Sequence, residues 1–110
     1  MEILFNKGKS KNCYPVKLVF MQTQEAIPFP AQAMFVVPKK NFKSSPDRNT
    51  LKRRMREAYR LEKNSFYTSL KTQNHKVLAA FIYTGKKKED YAVIAPSVHK
   101  LLNMVIKKET

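Results

Sequence analysis

The sequence predicts an α+β fold, one α/β layered domain with helices packed on a small mixed sheet, from three observations. Three short segments rich in β-formers, 14–21, 32–37 and 77–83, are followed or interrupted by two stretches whose apolar residues recur at helical spacing. With 43% hydrophobic residues among 110, the chain can bury one core but not two, so residues 1–110 form a single domain. The order strand, strand, helix, strand, helix places a helix between two strands of one sheet. There is no internal repeat.

Taken in order, Met1, Ile3, Leu4 and Phe5 form an apolar run that reads as the last turn or two of a helix beginning before the chain does, stopped by Gly8. Residues 9–12 are a basic linker. Residues 14–21 alternate, with Val16, Leu18 and Phe20 on one face and Lys17, Val19 and Met21 on the other. The Ile-Pro-Phe-Pro sequence at 27–30 is a stiff turn, because neither proline can donate to a strand ladder. Pro38 closes the second strand. Ser45 as N-cap, Pro46 at the first helical position and Asp47 at the positive end of the helix dipole predict a helix over about 46–63, with Phe66 its farthest reach.

Leu51, Met55, Ala58 and Tyr59 share the side of that helix suited to packing on a sheet, whereas Asn49, Lys52, Arg53, Arg56, Arg60 and Lys63 share another. Arg54 projects away from both, toward Leu61. Residues 77–83, nearly all apolar, suit a central strand covered on both faces. Lys86, Lys87 and Lys88 form a solvated loop. Val98, Leu101, Leu102, Val105 and Ile106 predict a last helix over 96–107, with 91–94 as a candidate extra turn upstream.

The formal net charge of +14 makes a compact state repel itself, which suits a chain whose usual partner is a polyanion, nucleic acid ahead of an anionic membrane. All five arginines lie between Arg48 and Arg60, while the lysines are scattered. Guanidinium is a planar fork that grips phosphate bidentately, whereas ammonium is a compact hydrated point charge, so this confinement marks a recognition surface. The single Cys13 excludes an internal disulfide and fits a reducing compartment. No apolar run approaches the roughly 20 residues of a membrane span, and no signal-peptide core is present; a cytoplasmic location without a membrane partner is expected.

Lys39-Lys40, then Phe42-Lys43, then Arg48-Asn49 followed by Lys52-Arg53 and Arg56-Glu57-Ala58, resemble the pattern of the bacterial ribonuclease P protein subunit, which runs Arg-Asn-Arg, Lys-Arg, Arg-Glu. Phe5 three residues before Gly8, and the Gly8-Lys9-Ser10 turn, extend the resemblance toward the N-terminus. Three departures stand out. Thr50 replaces the second arginine of Arg-Asn-Arg, Ser45-Pro46 replaces a commoner Ala-Val pair, and the chain begins inside the family's first helix.

The resemblance implies a four-stranded α/β sandwich in which the arginine helix makes a left-handed βαβ crossover. It also implies a role: the RNA subunit cleaves precursor tRNA with Mg²⁺, bound mainly by that RNA, while a non-catalytic protein subunit assists tRNA 5′ maturation. The implied partners are ribonuclease P RNA and precursor tRNA, with no obligate protein partner. Arg48, Asn49, Lys52, Arg53 and Arg56 would contact RNA, with Lys39, Lys40 and Arg60 behind them. Phe5, Tyr14 and Phe20 are candidates for a cleft between the first helix and the sheet that receives the 5′ leader, where aromatic rings stack on unpaired bases.

Two other classes compete. A basic structural protein of the ribosome or another ribonucleoprotein would share the charge and the arginine face. An autonomous ribonuclease would need converging carboxylates around metal ions, or paired histidines. The eight acids are dispersed, with Asp47 serving the helix dipole and Glu57 placed to pair with Arg53 or Arg54. His75 falls in an expected turn and His99 on the last helix. No catalytic or metal-ligating set is expected in the protein.

Overall fold

The computed structural model describes residues 9–23, 30–72 and 76–109, with side chains as far as Val105. Its elements are β1 (Lys9–Cys13), β2 (Val16–Gln22), β3 (Ala31–Val36), α1 (Ser45–Thr72), β4 (Val77–Tyr83) and α2 (Tyr91–Glu109). The strands form one sheet in the order β1-β2-β4-β3. β1 and β4 each pair with β2 antiparallel, and β3 pairs with β4 parallel. A parallel pair needs a crossover, and α1 supplies it.

Three expectations change. The linker at 9–12 is a strand: β1 lacks apolar alternation, yet its backbone pairs with β2 from Lys9 opposite Phe20 to Cys13 opposite Val16. Lysines suit such an edge, since they discourage pairing with another chain. Tyr14 and Pro15 leave the strand and make the β1–β2 turn. The long helix continues well past residue 63 to Thr72, because Phe66 and Leu70 extend the buried stripe of Leu51, Met55, Ala58 and Tyr59. The Thr68 and Thr72 hydroxyls, poor helix formers otherwise, bond back to the carbonyls of Asn64 and Thr68 at 2.9 and 3.0 Å. The last helix likewise starts at Tyr91, with the Asp90 carbonyl accepting from the amides of Val93 and Ile94. Pro96 is therefore internal to it. The expected helix end at 1–5, residues 27–29 of the expected turn and His75 lie outside the described residues.

The two faces of the sheet differ. Val77, Ala79, Phe81 and Tyr83 of β4 and Val16, Leu18 and Phe20 of β2 join the helices in one core. Phe81 stacks on Phe35 at 5.4 Å between ring centres and lies 5.6 Å from Tyr59. The opposite face carries a second apolar cluster, Val19 and Ala80 flanked by half-buried Met21, Met34, Leu78 and Ile82, with no helical residue among those described. Lys17, opposite Ile82, lies in the same row.

Candidate nucleic-acid interface

The start of α1 is built by Ser44 and Arg48. The Ser44 carbonyl accepts from the Arg48 amide at 3.1 Å, so the capping residue is Ser44 rather than Ser45. Arg48 then folds its guanidinium back, donating from Nη1 to the carbonyls of Phe42 and Lys43 at 2.7 and 2.9 Å and from Nη2 to Ser45 Oγ at 2.9 Å. It ties the connector after β3 to the helix, committing three of its N–H donors to the protein. Replacing Arg48 by alanine is expected to lower the unfolding free energy by about 1–2 kcal/mol, the range for charged donors reduced for partial exposure. Lysine should restore little, because one ammonium cannot span three acceptors in a fork. Urea denaturation of both variants measures this, and an unchanged midpoint in Arg48→Ala would disprove it.

Next to Arg48 the outward side of α1 carries exposed Asn49 and Arg53 and half-buried Lys52, and among the described residues none of the three has a protein partner. Arg56, also exposed, holds its Cζ 5.5 Å from the centre of the Phe35 ring on the edge strand β3. Farther along, Lys63 Nζ lies 5.8 Å from the Tyr67 ring. Lys39 and Lys40 are exposed in the turn that follows β3. The basic sector therefore runs along α1 on its β3 side.

Arg60 is brought into line but spent: Nε donates to Glu57 Oε2 at 3.0 Å and Nη2 to Oε1, a bidentate pair. That hydrogen bond holds the Glu57 carboxyl below its ordinary value. Glu57 thus pairs with Arg60, not with Arg53 or Arg54. Thr50, where an arginine stands in the usual motif, donates its hydroxyl to the Pro46 carbonyl at 2.9 Å. Arg54 does leave the basic sector and donates to the Glu89 carbonyl at 2.7 Å, fixing the loop before α2.

That loop is the piece the sequence underrates. Lys88 meets Asp47 at 3.2 Å, so the three-lysine run sits beside the first turn of α1 rather than apart from it. The loop is held by the Thr84 and Gly85 amides donating to the Pro15 carbonyl at 2.8 and 3.3 Å, and by the Glu89 amide donating to the Tyr83 hydroxyl at 3.0 Å. A Cβ on Gly85 would stand 3.0 Å from the Pro15 Cβ, which explains glycine there. Only long-range pairing reveals this, and no local pattern in the Lys-rich run signals it.

The leader-cleft candidates fare differently. Phe5 lies outside the described residues. Phe20 is 2% exposed in the core beneath the helices, so it cannot stack on a base; alternation separates the faces of β2 correctly but does not say which one the helices cover. Tyr14 is 60% exposed, but in the β1–β2 turn beside the helices, where its hydroxyl donates to Glu89 Oε2 at 2.9 Å and its carbonyl accepts from Ser97 Oγ at 2.7 Å. The Glu89 bond raises the Tyr14 phenol above its ordinary value. The second sheet face is lined by thioether and aliphatic side chains instead.

Among the described residues no three of His, Cys, Asp and Glu gather to hold a metal ion. His99 is exposed on α2, its Nδ1 3.1 Å from Glu62 Oε2 and its Nε2 3.1 Å from Asn103 Nδ2, a surface link between the helices. No helix among the described residues is long and apolar enough to cross a membrane.

Comparison with known proteins bears on the family and the fold. The family model described as Ribonuclease P matches residues 2–105. The "Ribonuclease P protein component" of Chlorobaculum tepidum is 40% identical over 67 residues, 57% of this chain and 44% of that protein. The protein of the same name from Porphyromonas gingivalis is 28% identical over 99 residues, 90% of this chain and 72% of its own length. The match thus spans less than half of the first relative and nearly three quarters of the second. Among solved structures, the RNase P protein of Staphylococcus aureus superposes with a TM-score of 0.75 at 19% identity, covering 94% of this chain and 86% of that one. The RNase P protein of Thermotoga maritima, in complex with 1-(4-fluorophenyl)-2-thiourea, gives 0.73 at 21% identity, with 92% and 89% covered. At those identities the superpositions speak for the fold, and the family match over nearly the whole chain, with the α1 motif inside it, carries the assignment: the chain belongs to the ribonuclease P protein component family.

Proposed function

We propose that this protein is the protein subunit of ribonuclease P, that it binds the catalytic RNA through the outward side of α1, and that it assists RNA-catalysed removal of the 5′ leader from precursor tRNA. The observation that carries the reading is the row Asn49, Lys52, Arg53 and Arg56, which lies together on one side of α1 with its polar groups unspent on protein, in a chain of net charge +14. Lys39 and Lys40 extend the row past the end of β3. Such a surface lowers the repulsion between two RNAs brought together at a cleavage site.

In this reading Mg²⁺ is held mainly by the RNA and supplies the hydrolytic chemistry, and the described residues of the protein offer no ligand cluster that fits it. The protein's share is to bind and orient. The leader would run along the second sheet face, over Met21, Met34, Leu78 and Ile82, with Lys17 in reach of its phosphates.

The test is to add the purified protein to a bacterial ribonuclease P RNA at low Mg²⁺ and follow cleavage of precursor tRNA. Stimulation is expected, together with tighter binding of leader-bearing than of leaderless tRNA. No stimulation would overturn the assignment, and equal binding of the two tRNAs would favour a structural RNA-binding role.

A further inference from the structure

The arginines of α1 are held in different ways, and the difference singles out Arg56. Arg48, Arg54 and Arg60 direct donors to carbonyls or a carboxylate of the protein itself. Arg53 is exposed with nothing to hold it among the described residues. Arg56 is held without spending a donor, because its guanidinium lies over the Phe35 ring, 5.5 Å from the centroid, and makes no hydrogen bond or ion pair among the described residues. All its N–H groups stay available for a phosphate.

The ring beneath it is itself fixed. Phe35 stacks on Phe81 with 12° between the ring planes and meets Tyr59 edge-on at 5.9 Å. Phe81 and Tyr59 are 0% and 7% exposed, so a chain of aromatic contacts runs from the core of the domain to a single cation on its surface.

Resting on the proposed RNA-binding role of α1, we propose that Phe35 is a positioning residue of the RNA interface: it orders the Arg56 guanidinium at the β3 edge before RNA arrives. A flexible arginine loses rotamer freedom when it grips a phosphate, and one already held loses less. Arg56 is the preformed contact of the row, and Lys52 and Arg53 are ordered by the RNA itself.

A double-mutant cycle on binding to a bacterial ribonuclease P RNA tests this, with Phe35→Leu, Arg56→Ala, the double variant and Phe35→Tyr compared at one salt concentration below their melting temperatures. Phe35→Leu is expected to weaken binding about 2- to 3-fold, within what an exposed cation–π contact supplies. The same change in the Arg56→Ala background should add nothing, and Phe35→Tyr, which keeps the ring, should bind as the parent does. An equal loss from Phe35→Leu in both backgrounds, or no loss in either, would overturn the inference while leaving the RNA-binding role of α1 intact. If Arg56→Ala itself changed neither affinity nor salt dependence, that role would fail at this residue and the inference with it. A measurement on the unmodified protein guards against a folding defect: without RNA, the Arg56 Nε–H should be more ordered than that of Arg53 by NMR relaxation, and equal mobility would also overturn the inference.

Discussion

Phe81→Ala is expected to lower the unfolding free energy by about 3–5 kcal/mol, the range for removing a buried phenylalanine and leaving a cavity. Phe81 occupies the central strand, paired to Leu18 of β2 on one side and Phe35 of β3 on the other. It is fully buried, and its ring touches both the edge-strand ring of Phe35 and the helical ring of Tyr59, so its removal loosens sheet and helix together. Because a domain of this size is stable by only about 5–15 kcal/mol, the variant should be largely unfolded at moderate denaturant. The neighbouring Ile82→Ala, on the half-buried second face, should cost clearly less. Equilibrium denaturation compares the two, and an equal cost would show that the second face is packed as tightly as the core.

How much of this is legible in the sequence depends on whether a feature is local. The buried stripe of α1 follows from spacing alone, and Leu51, Met55, Ala58 and Tyr59 lie where a 3.6-residue period puts them. The outward row of Asn49, Lys52, Arg53 and Arg56 follows from the same wheel. The end of α1 does not, because Asn64, Ser65 and Thr68 weaken helix propensity and only the packing of Phe66 and Leu70 on the core overrides them. Strand β1 is invisible for a related reason: Lys9, Ser10, Lys11 and Asn12 carry no apolar pattern, and pairing with β2 is what makes them a strand.

The candidate site divides along the same line. A wheel gives the direction in which an arginine leaves the helix but not where its long side chain ends. Arg48, expected on RNA, instead bridges the carbonyls of Phe42 and Lys43. Arg60, expected in the same row, is occupied by Glu57 three residues earlier. Phe20 shows the limit for strands: both faces of β2 are apolar enough to be core, so only the placement of the helices decides that Phe20 is buried while Met21 and Val19 look the other way.

Arg53→Ala combined with Arg56→Ala is expected to flatten the log–log salt dependence of RNA binding by about 1.4–1.8, at roughly 0.7–0.9 for each phosphate no longer neutralised. If affinities converge near 1 M salt, the double variant should bind roughly 15- to 30-fold more weakly at 0.15 M. The fold should survive, since both side chains are exposed and neither directs a hydrogen bond to the protein among the described residues. Arg60→Ala is the internal comparison: its guanidinium is already neutralised by the Glu57 carboxylate, and removing it frees that carboxylate to repel RNA, so any fall in affinity should come with little change in the number of released counterions. Binding measured between 50 and 300 mM salt separates these cases. An unchanged slope in the double variant would mean that the outward row of α1 faces solvent in the complex, and that the grip on RNA lies elsewhere, with the lysines beside the start of the helix as the next surface to test.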